Sequence, residues 1–232
     1  MSELFVFIAG EGPTDIGELA GDPVYRSRRP REGFVQPVVR SLRPNDRVHF
    51  DGRKIMSLGR QGFDDLSSGL ERQAAGAVAI GRGIGADAVL ILHDVDREQG
   101  TTASPRERAR QIQTIRAAIE SGAASVAGGD MQGIVIGTPC RCIEAWVLGD
   151  VDAVESVART GSTPRLSKPP EELWGAPNDP SSNHPKCVLV RIFGGDFQTD
   201  DYAAIGVRAN IATMRAACPD TFEPFAAGVE AL

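Results

Sequence analysis

The sequence predicts an α/β protein with a mostly parallel central sheet flanked by helices. Three short apolar runs carry that expectation: Leu-Phe-Val-Phe-Ile at 4–8, Ala-Val-Leu-Ile-Leu at 88–92 and Ile-Val-Ile at 134–136. Unbroken apolar runs of this length suit strands buried on both faces. Between them lie segments with helical spacing, and strand–helix alternation is the pattern of a parallel sheet with helices on its faces.

The first run closes on Ala-Gly-Glu-Gly-Pro-Thr-Asp at 9–15, a sharp loop. Residues 21–32, rich in Arg, Pro and Gly, read as an exposed loop. A short helix is expected at 33–42 despite Pro37, and a strand at 47–56. Small and apolar residues at helical spacing predict a helix at 64–80, broken by Gly-Arg-Gly-Ile-Gly at 81–85. Ser104 offers an N-cap, Pro105 a first helical residue and Glu107 a capping-box partner, for a helix reaching about Gly122. The third strand ends in Gly-Thr-Pro, and a further helical stretch occupies 143–148. Residues 160–185, loaded with Pro, Ser and Asn, read as a long surface excursion; 186–193, 201–217 and 222–232 read as helical. The organisation expected is an α/β core over 1–150 and a loop-rich, helical C-terminal extension over 151–232 packed on it.

The 232 residues are 41% hydrophobic and 24% charged, ordinary for a globular chain. No apolar run approaches the roughly 20 residues that span a bilayer, and the N-terminus lacks the basic region of a signal peptide. Cytoplasmic residence and no membrane association are therefore expected. Cysteines stand at 140, 142, 187 and 218. Cys140-Arg-Cys142 is too tight for a paired CxxC knuckle, and His49, His93 and His184 show no ligand rhythm. Buried thiols are the expected state, with metal binding by the CxC as the alternative. The net charge of −6 argues against wholesale coating of nucleic acid, yet ten Lys or Arg between Arg26 and Arg60 face only Glu32, Asp46 and Asp51. That local excess is either a phosphate-facing patch or a solvated loop and helix face.

Two strands that end in acids carry the chemical argument. Ligands collect at the carboxyl ends of parallel strands, where loops splay apart. Glu11 follows the first strand; Asp94 and Asp96 follow the run at 88–92. In extended chain, residues two apart face the same side, so Asp94 and Asp96 can address one ion. Carboxylates brought that close repel unless a cation neutralises them or a pKa rises. Oxygen-only ligation suits Mg²⁺ or Mn²⁺. Solvated acidic caps are the plain alternative for an isolated Asp-Val-Asp; Glu11 between two glycines strengthens the metal reading, because glycines allow close approach. Glu144, shortly after the third strand, could reach the same rim and complete a second metal position, or simply answer the helix dipole. Trp146 is expected in the core. His93 is read as a structural imidazole or as an orienting partner for a carboxylate or phosphate. Arg97 and Lys186 are phosphate contacts or surface side chains, and Glu98 flanks the acidic pair. Neither glycine-rich stretch fits a nucleotide motif: 10–15 lacks the Gly-Lys-Ser/Thr ending, and 81–86 precedes a strand instead of following one.

Glu-Gly-x-Thr-Asp at 11–15 followed by Asp-x-Asp at 94–96 resembles the Glu and DxD motifs of the Toprim fold, found in topoisomerases, primases and overcoming-lysogenization-defect (OLD) type nucleases. Pro139-Cys-Arg-Cys-Ile-Glu-Ala-Trp-Val-Leu-Gly-Asp150, His184-Pro-Lys186 and Cys218-Pro-Asp-Thr-Phe222-x-x-Phe225 resemble the Toprim-like family DUF4276. The chain departs from the pattern at Asp15, where such relatives often carry Glu. The resemblance implies a Toprim-like (Rossmann-like) fold. It also implies a metal held by Asp94 and Asp96, and Glu11 as general acid, general base or further ligand. The implied activity is cleavage or transfer of nucleic-acid phosphodiesters, in bacterial defence or DNA maintenance. A topoisomerase would need a tyrosine nucleophile on a clamp domain, and the chain has only Tyr25 and Tyr202. The partners implied are DNA or RNA, through the 26–60 segment, and an ATPase; a homodimer stays open. The rival expectation is a non-catalytic Toprim-like scaffold that recruits the ATPase or nucleic acid. Metal-assisted processing of a small nucleotide is a third.

Overall fold

The computed structural model describes residues 2–18, 31–59, 62–95, 104–158, 165–195 and 197–232. Its centre is a four-stranded sheet of β1 (Ser2–Gly10), β2 (Asp46–Lys54), β3 (Ala88–Leu92) and β4 (Ile134–Gly137). The order is β2-β1-β3-β4, and every pairing is parallel. The chain thus adopts the α/β, Rossmann-like class expected from its strand–helix alternation.

Alternation along each strand divides the core. Leu4, Val6 and Ile8 of β1 join Leu90 and Leu92 of β3 on one face. Phe7 and Ala9 join Val89, Ile91 and Ile136 on the other. Both faces are buried, which is why these strands read as unbroken apolar runs rather than as alternating ones. The second face is covered by α3 (Gly69–Gly83) and α4 (Pro105–Ala127). The first is covered by α2 (Val35–Leu42) and by the helices after β4: α5 (Glu144–Val147), α6 (Val151–Ala158), α7 (Pro185–Phe193), α8 (Thr199–Arg208), α9 (Ile211–Ala217) and α10 (Phe222–Glu230). One apolar cluster runs from Leu4 through Trp146 to Phe225 and Val229, so residues beyond 150 help bury the sheet itself.

The helix bounds depart from expectation where glycine has a packing purpose. Helix α3 begins at Gly69, because Ser68 and Glu71 form a capping box: Glu71 N–H donates to Ser68 Oγ at 3.1 Å, and Ser68 N–H to Glu71 Oε2 at 2.8 Å. It then runs through Gly81 without breaking. A Cβ at 81 would lie 2.6 Å from Val89 Cγ2, so this glycine lets α3 settle on the sheet. Likewise α4 passes Gly122 and ends at Ala127, with Gly128 in the left-handed conformation as its cap. A Cβ at 122 would stand 2.1 Å from the Glu71 carbonyl oxygen. Gly122→Ala, which would add about 1 kcal/mol in a free helix, is therefore expected to cost about 1–3 kcal/mol by forcing α3 and α4 apart; urea unfolding at neutral pH measures the sign. The predicted helix over 201–217 is two helices, divided where Asn210 caps α9 by accepting from Thr213 N–H at 3.2 Å.

The Pro-rich excursion is not superficial throughout. A 3-10 turn at Pro170–Glu172 sends Glu171 and Leu173 inside. Glu171 accepts from Thr221 N–H at 2.7 Å and Asp220 N–H at 3.0 Å, and also from the Thr221 hydroxyl, stapling the excursion to the start of α10. The four cysteines are buried and unbridged. Burial, then the nearby Glu171 charge, pushes the Cys140 thiol up to about 12, so it is inert as a nucleophile. Among the described residues no helix is long and apolar enough to cross a membrane.

Candidate functional site

Strand order creates a crevice before any side chain is considered. From β1 the chain goes to β2 on one side, then returns past β1 to β3 on the other. Loops leaving β1 and β3 therefore diverge, and their carboxyl ends form a switch point of the kind that holds ligands in open parallel sheets. The register pairs Ala9 with Ile91 and Leu92 with Gly137, so the residues just after β1, β3 and β4 lie at one rim.

Glu11 and Asp94 meet there. Glu11 Oε1 accepts from Asp94 N–H at 3.0 Å and lies 3.1 Å from His93 Nδ1. Burial of Glu11 works to raise its pKa, but the hydrogen bonds from His93 and from the Asp94 backbone outweigh it and hold the carboxyl below its usual value. His93 thus stands beside the Glu11 carboxylate. Glu11 Oε2 takes no part in those contacts.

Asp15 lies beneath this pair. The loop turns through a single helical turn, α1 (Pro13–Ile16), and Asp15 Oδ2 accepts from Glu11 N–H at 2.9 Å and Gly12 N–H at 3.3 Å. Its Oδ1 accepts from the Thr14 hydroxyl at 2.9 Å. Gly10 permits the fold-back, since a Cβ there would sit 2.5 Å from Ile16 Cγ2. Burial, followed by the charges of Glu144 and Glu11, pushes the Asp15 carboxyl up to about 7 against the help of its hydrogen bonds. The shorter Asp thus shapes the loop that presents Glu11.

Glu144 is buried at the first turn of α5 and accepts from the Tyr202 hydroxyl at 2.6 Å. Burial, then the charges of Glu144 and Asp94, raises the Cys142 thiol pKa. Asp15 therefore lies within reach of the charges of Glu144 and Glu11, and Cys142 within reach of those of Glu144 and Asp94. Arg141, between the two cysteines, has φ of 73° and is buried, with its guanidinium 4.0 Å from the Trp174 ring and Nη1 3.4 Å from the Val95 carbonyl oxygen. A non-glycine residue in that conformation is a strained feature at the rim.

The structure thus gathers Glu11, Asp94 and Glu144 on one edge of the sheet, while Asp96, Arg97 and Glu98 lie outside the described residues. Among the described residues no three His, Cys, Asp or Glu side chains converge as a ready metal-ligand set. Sequence reasoning missed Asp15 as a buried group, although its place four residues after Glu11 in a glycine-rich turn was a usable signal. It also missed Tyr202, which is 58 positions from Glu144 and carries no local mark.

Among the described residues of the basic segment, three cations have acidic partners. Arg40 pairs with Glu32 and lies over Phe50 at 5.0 Å, Arg43 meets Asp46 at 2.6 Å, and Arg47 approaches Glu3 at 3.6 Å. Arg53 and Lys54 close β2, and Lys54 is in register with Gly10, one residue before Glu11. Arg26, Arg28, Arg29 and Arg60 lie outside the described residues.

A family model described as "Domain of unknown function (DUF4276)" matches residues 30–230. The chain belongs to the DUF4276 family. That match includes Asp94, Glu144 and Tyr202 and begins after β1, so Glu11 and Asp15 are features of this DUF4276 chain outside the matched span. Neither the curated proteins nor the solved structures yielded a match.

Proposed function

We propose that this DUF4276 protein is a divalent-metal-dependent, Toprim-like phosphodiesterase acting on nucleic acid. The observation that carries the reading is the contact between the Glu11 carboxylate and the Asp94 backbone at the β1/β3 switch point. The donors available to an ion are carboxylate oxygens, which suits Mg²⁺ or Mn²⁺ by hardness. Glu11, Asp94 and Asp96 would hold it; bound there, it would polarise phosphate oxygens and activate water.

The chain's own residues have separable duties. His93 and the Asp94 N–H fix the orientation of Glu11. Glu144 is the further acidic group, serving as proton acceptor or as a second metal position. Arg53 and Lys54, at the carboxyl end of β2, supply positive charge for a phosphate strand approaching the acidic rim. An ATPase partner, a homodimer and a place in bacterial defence or DNA maintenance belong to the same proposal.

The test is Mn²⁺-supported cleavage of single- and double-stranded DNA and RNA by the purified chain. Asp94→Ala and Glu11→Ala are each expected to lower the rate on the order of 100-fold. Unchanged rates in both variants would sink the assignment. A wild-type chain that cleaves nothing, yet binds nucleic acid or an ATPase, would favour the scaffold function instead.

A further inference from the structure

We infer that Tyr202, contributed by the C-terminal α8, is a positioning residue that sets Glu144 for the reaction at the rim. This rests on the metal-dependent phosphodiesterase reading and adds to it a residue from outside the strand-end loops. Four observations combine. First, Glu144 is 4% exposed, at the first turn of a four-residue helix too short to hold it rigidly by itself. Second, the Tyr202 hydroxyl donates to Glu144 Oε1 at 2.6 Å. Third, the Tyr202 ring is locked: it stacks on Phe197 at 4.2 Å, which stacks on Phe193 at 4.4 Å, and the residue is only 3% exposed. Fourth, Glu144 lies within electrostatic reach of Asp15, which itself holds the backbone of Glu11. A buried phenol that retains its proton can only donate to a carboxylate, so the bond has one polarity and one geometry.

The consequence is that the helical extension completes the site. α8 packs on α2 and also touches α1 and α5, so the position of Glu144 relative to Glu11 is fixed across the sheet's first face. The Tyr202 bond thus leaves Glu144 less freedom to rotate away from the rim. Carboxylates held this way lose 10–100-fold in activity or metal affinity, roughly, when the outer partner is removed.

The experiment is a double-mutant cycle on the full chain with Mn²⁺ and a nucleic-acid substrate, using Tyr202→Phe, Glu144→Gln and the pair. Phenylalanine keeps the ring stack and removes only the hydroxyl. Tyr202→Phe is expected to lower kcat by roughly 10–100-fold with KM for nucleic acid unchanged. The double variant should then be no slower than Glu144→Gln alone, because the tyrosine acts only through the carboxylate. If the wild type cleaves and Tyr202→Phe stays within about twofold, or the two losses multiply, the positioning role is overturned and the phosphodiesterase reading survives. If the wild type shows no Mn²⁺-dependent cleavage, both fall together. Thermal unfolding of Tyr202→Phe checks that the fold is retained, and an active, fully folded variant with an unchanged kcat decides against the inference.

Discussion

Asp15→Asn is expected to make the protein more stable at pH 8 than the parent chain, while leaving the two nearly equal at pH 4. The reason is linkage. Burial and the neighbouring Glu144 charge push the Asp15 carboxyl from 3.8 up to about 7 in the folded chain. Below pH 4 it is protonated in both folded and unfolded states and contributes no pH dependence. Between about 4 and 7 the unfolded chain releases the proton first, so stability falls as pH rises; above 7 the full cost is present. Three pKa units correspond to about 4 kcal/mol. Asn keeps an acceptor for the Glu11 and Gly12 amides and can turn its NH₂ toward the Thr14 oxygen, so the loop's hydrogen bonds need not be lost. Glu11 titrates in the opposite sense, since its carboxyl is held low, and it is common to both proteins; the difference between their curves isolates Asp15. Urea unfolding from pH 4 to 8 gives both curves. Parallel curves would show that Asp15 does not resist ionisation.

Trp146→Ala is expected to cost about 3–5 kcal/mol, or roughly 10 °C in Tm for a chain of this length. Trp146 is fully buried on the sheet's first face, edge-on to Phe222 at 5.4 Å and tilted against Phe225 at 5.0 Å. Its Nε1 donates to Thr221 Oγ1 at 2.8 Å, and that hydroxyl donates to Glu171, so one ring ties α5, α10 and the 170–172 turn together. Gly137 makes room for it: a Cβ there would lie 2.8 Å from Trp146 Cη2. Three elements frame the cavity left by alanine, and their mutual staples prevent full collapse, which places the cost high in the usual range. Trp146→Phe keeps most of the apolar volume and loses the N–H bond, and is expected to cost less than half as much. Chemical denaturation ranks the two, and equal costs would mean that the Thr221 bond dominates over packing.

These effects show which levels of structure were legible from residue order. The strands at 88–92 and 134–136 announced themselves because they are buried on both faces, a property the side chains must satisfy locally. The strand at 46–54 was harder to bound because β2 is an edge, where exposed charges such as Arg47 and Arg53 interrupt the apolar signal. Gly81 and Gly122 misled in a consistent way. Glycine costs a helix about 1 kcal/mol, so it reads as a stop, yet both positions are where a neighbouring backbone or side chain comes too close for any Cβ. The inward turn at Glu171 was invisible because its partners, Asp220 and Thr221, lie far along the chain, whereas the Asn210 cap on Thr213 is local and was a signal passed over.

The amino-acid order alone determined that the chain makes a parallel α/β sheet with Glu11, Asp94 and Glu144 just past strand ends, and that Trp146 and the cysteines lie inside. Those are consequences of apolar periodicity and of where each run stops. Tertiary structure decided which strand ends adjoin: the order β2-β1-β3-β4 brings Glu11 to Asp94, and packing of α8 brings the Tyr202 hydroxyl to Glu144. It also decided that Arg40, Arg43 and Arg47 of the basic segment meet Glu32, Asp46 and Glu3. Periodicity is a property of neighbours in sequence, whereas charge pairing, desolvation and hydrogen bonding act between neighbours in space.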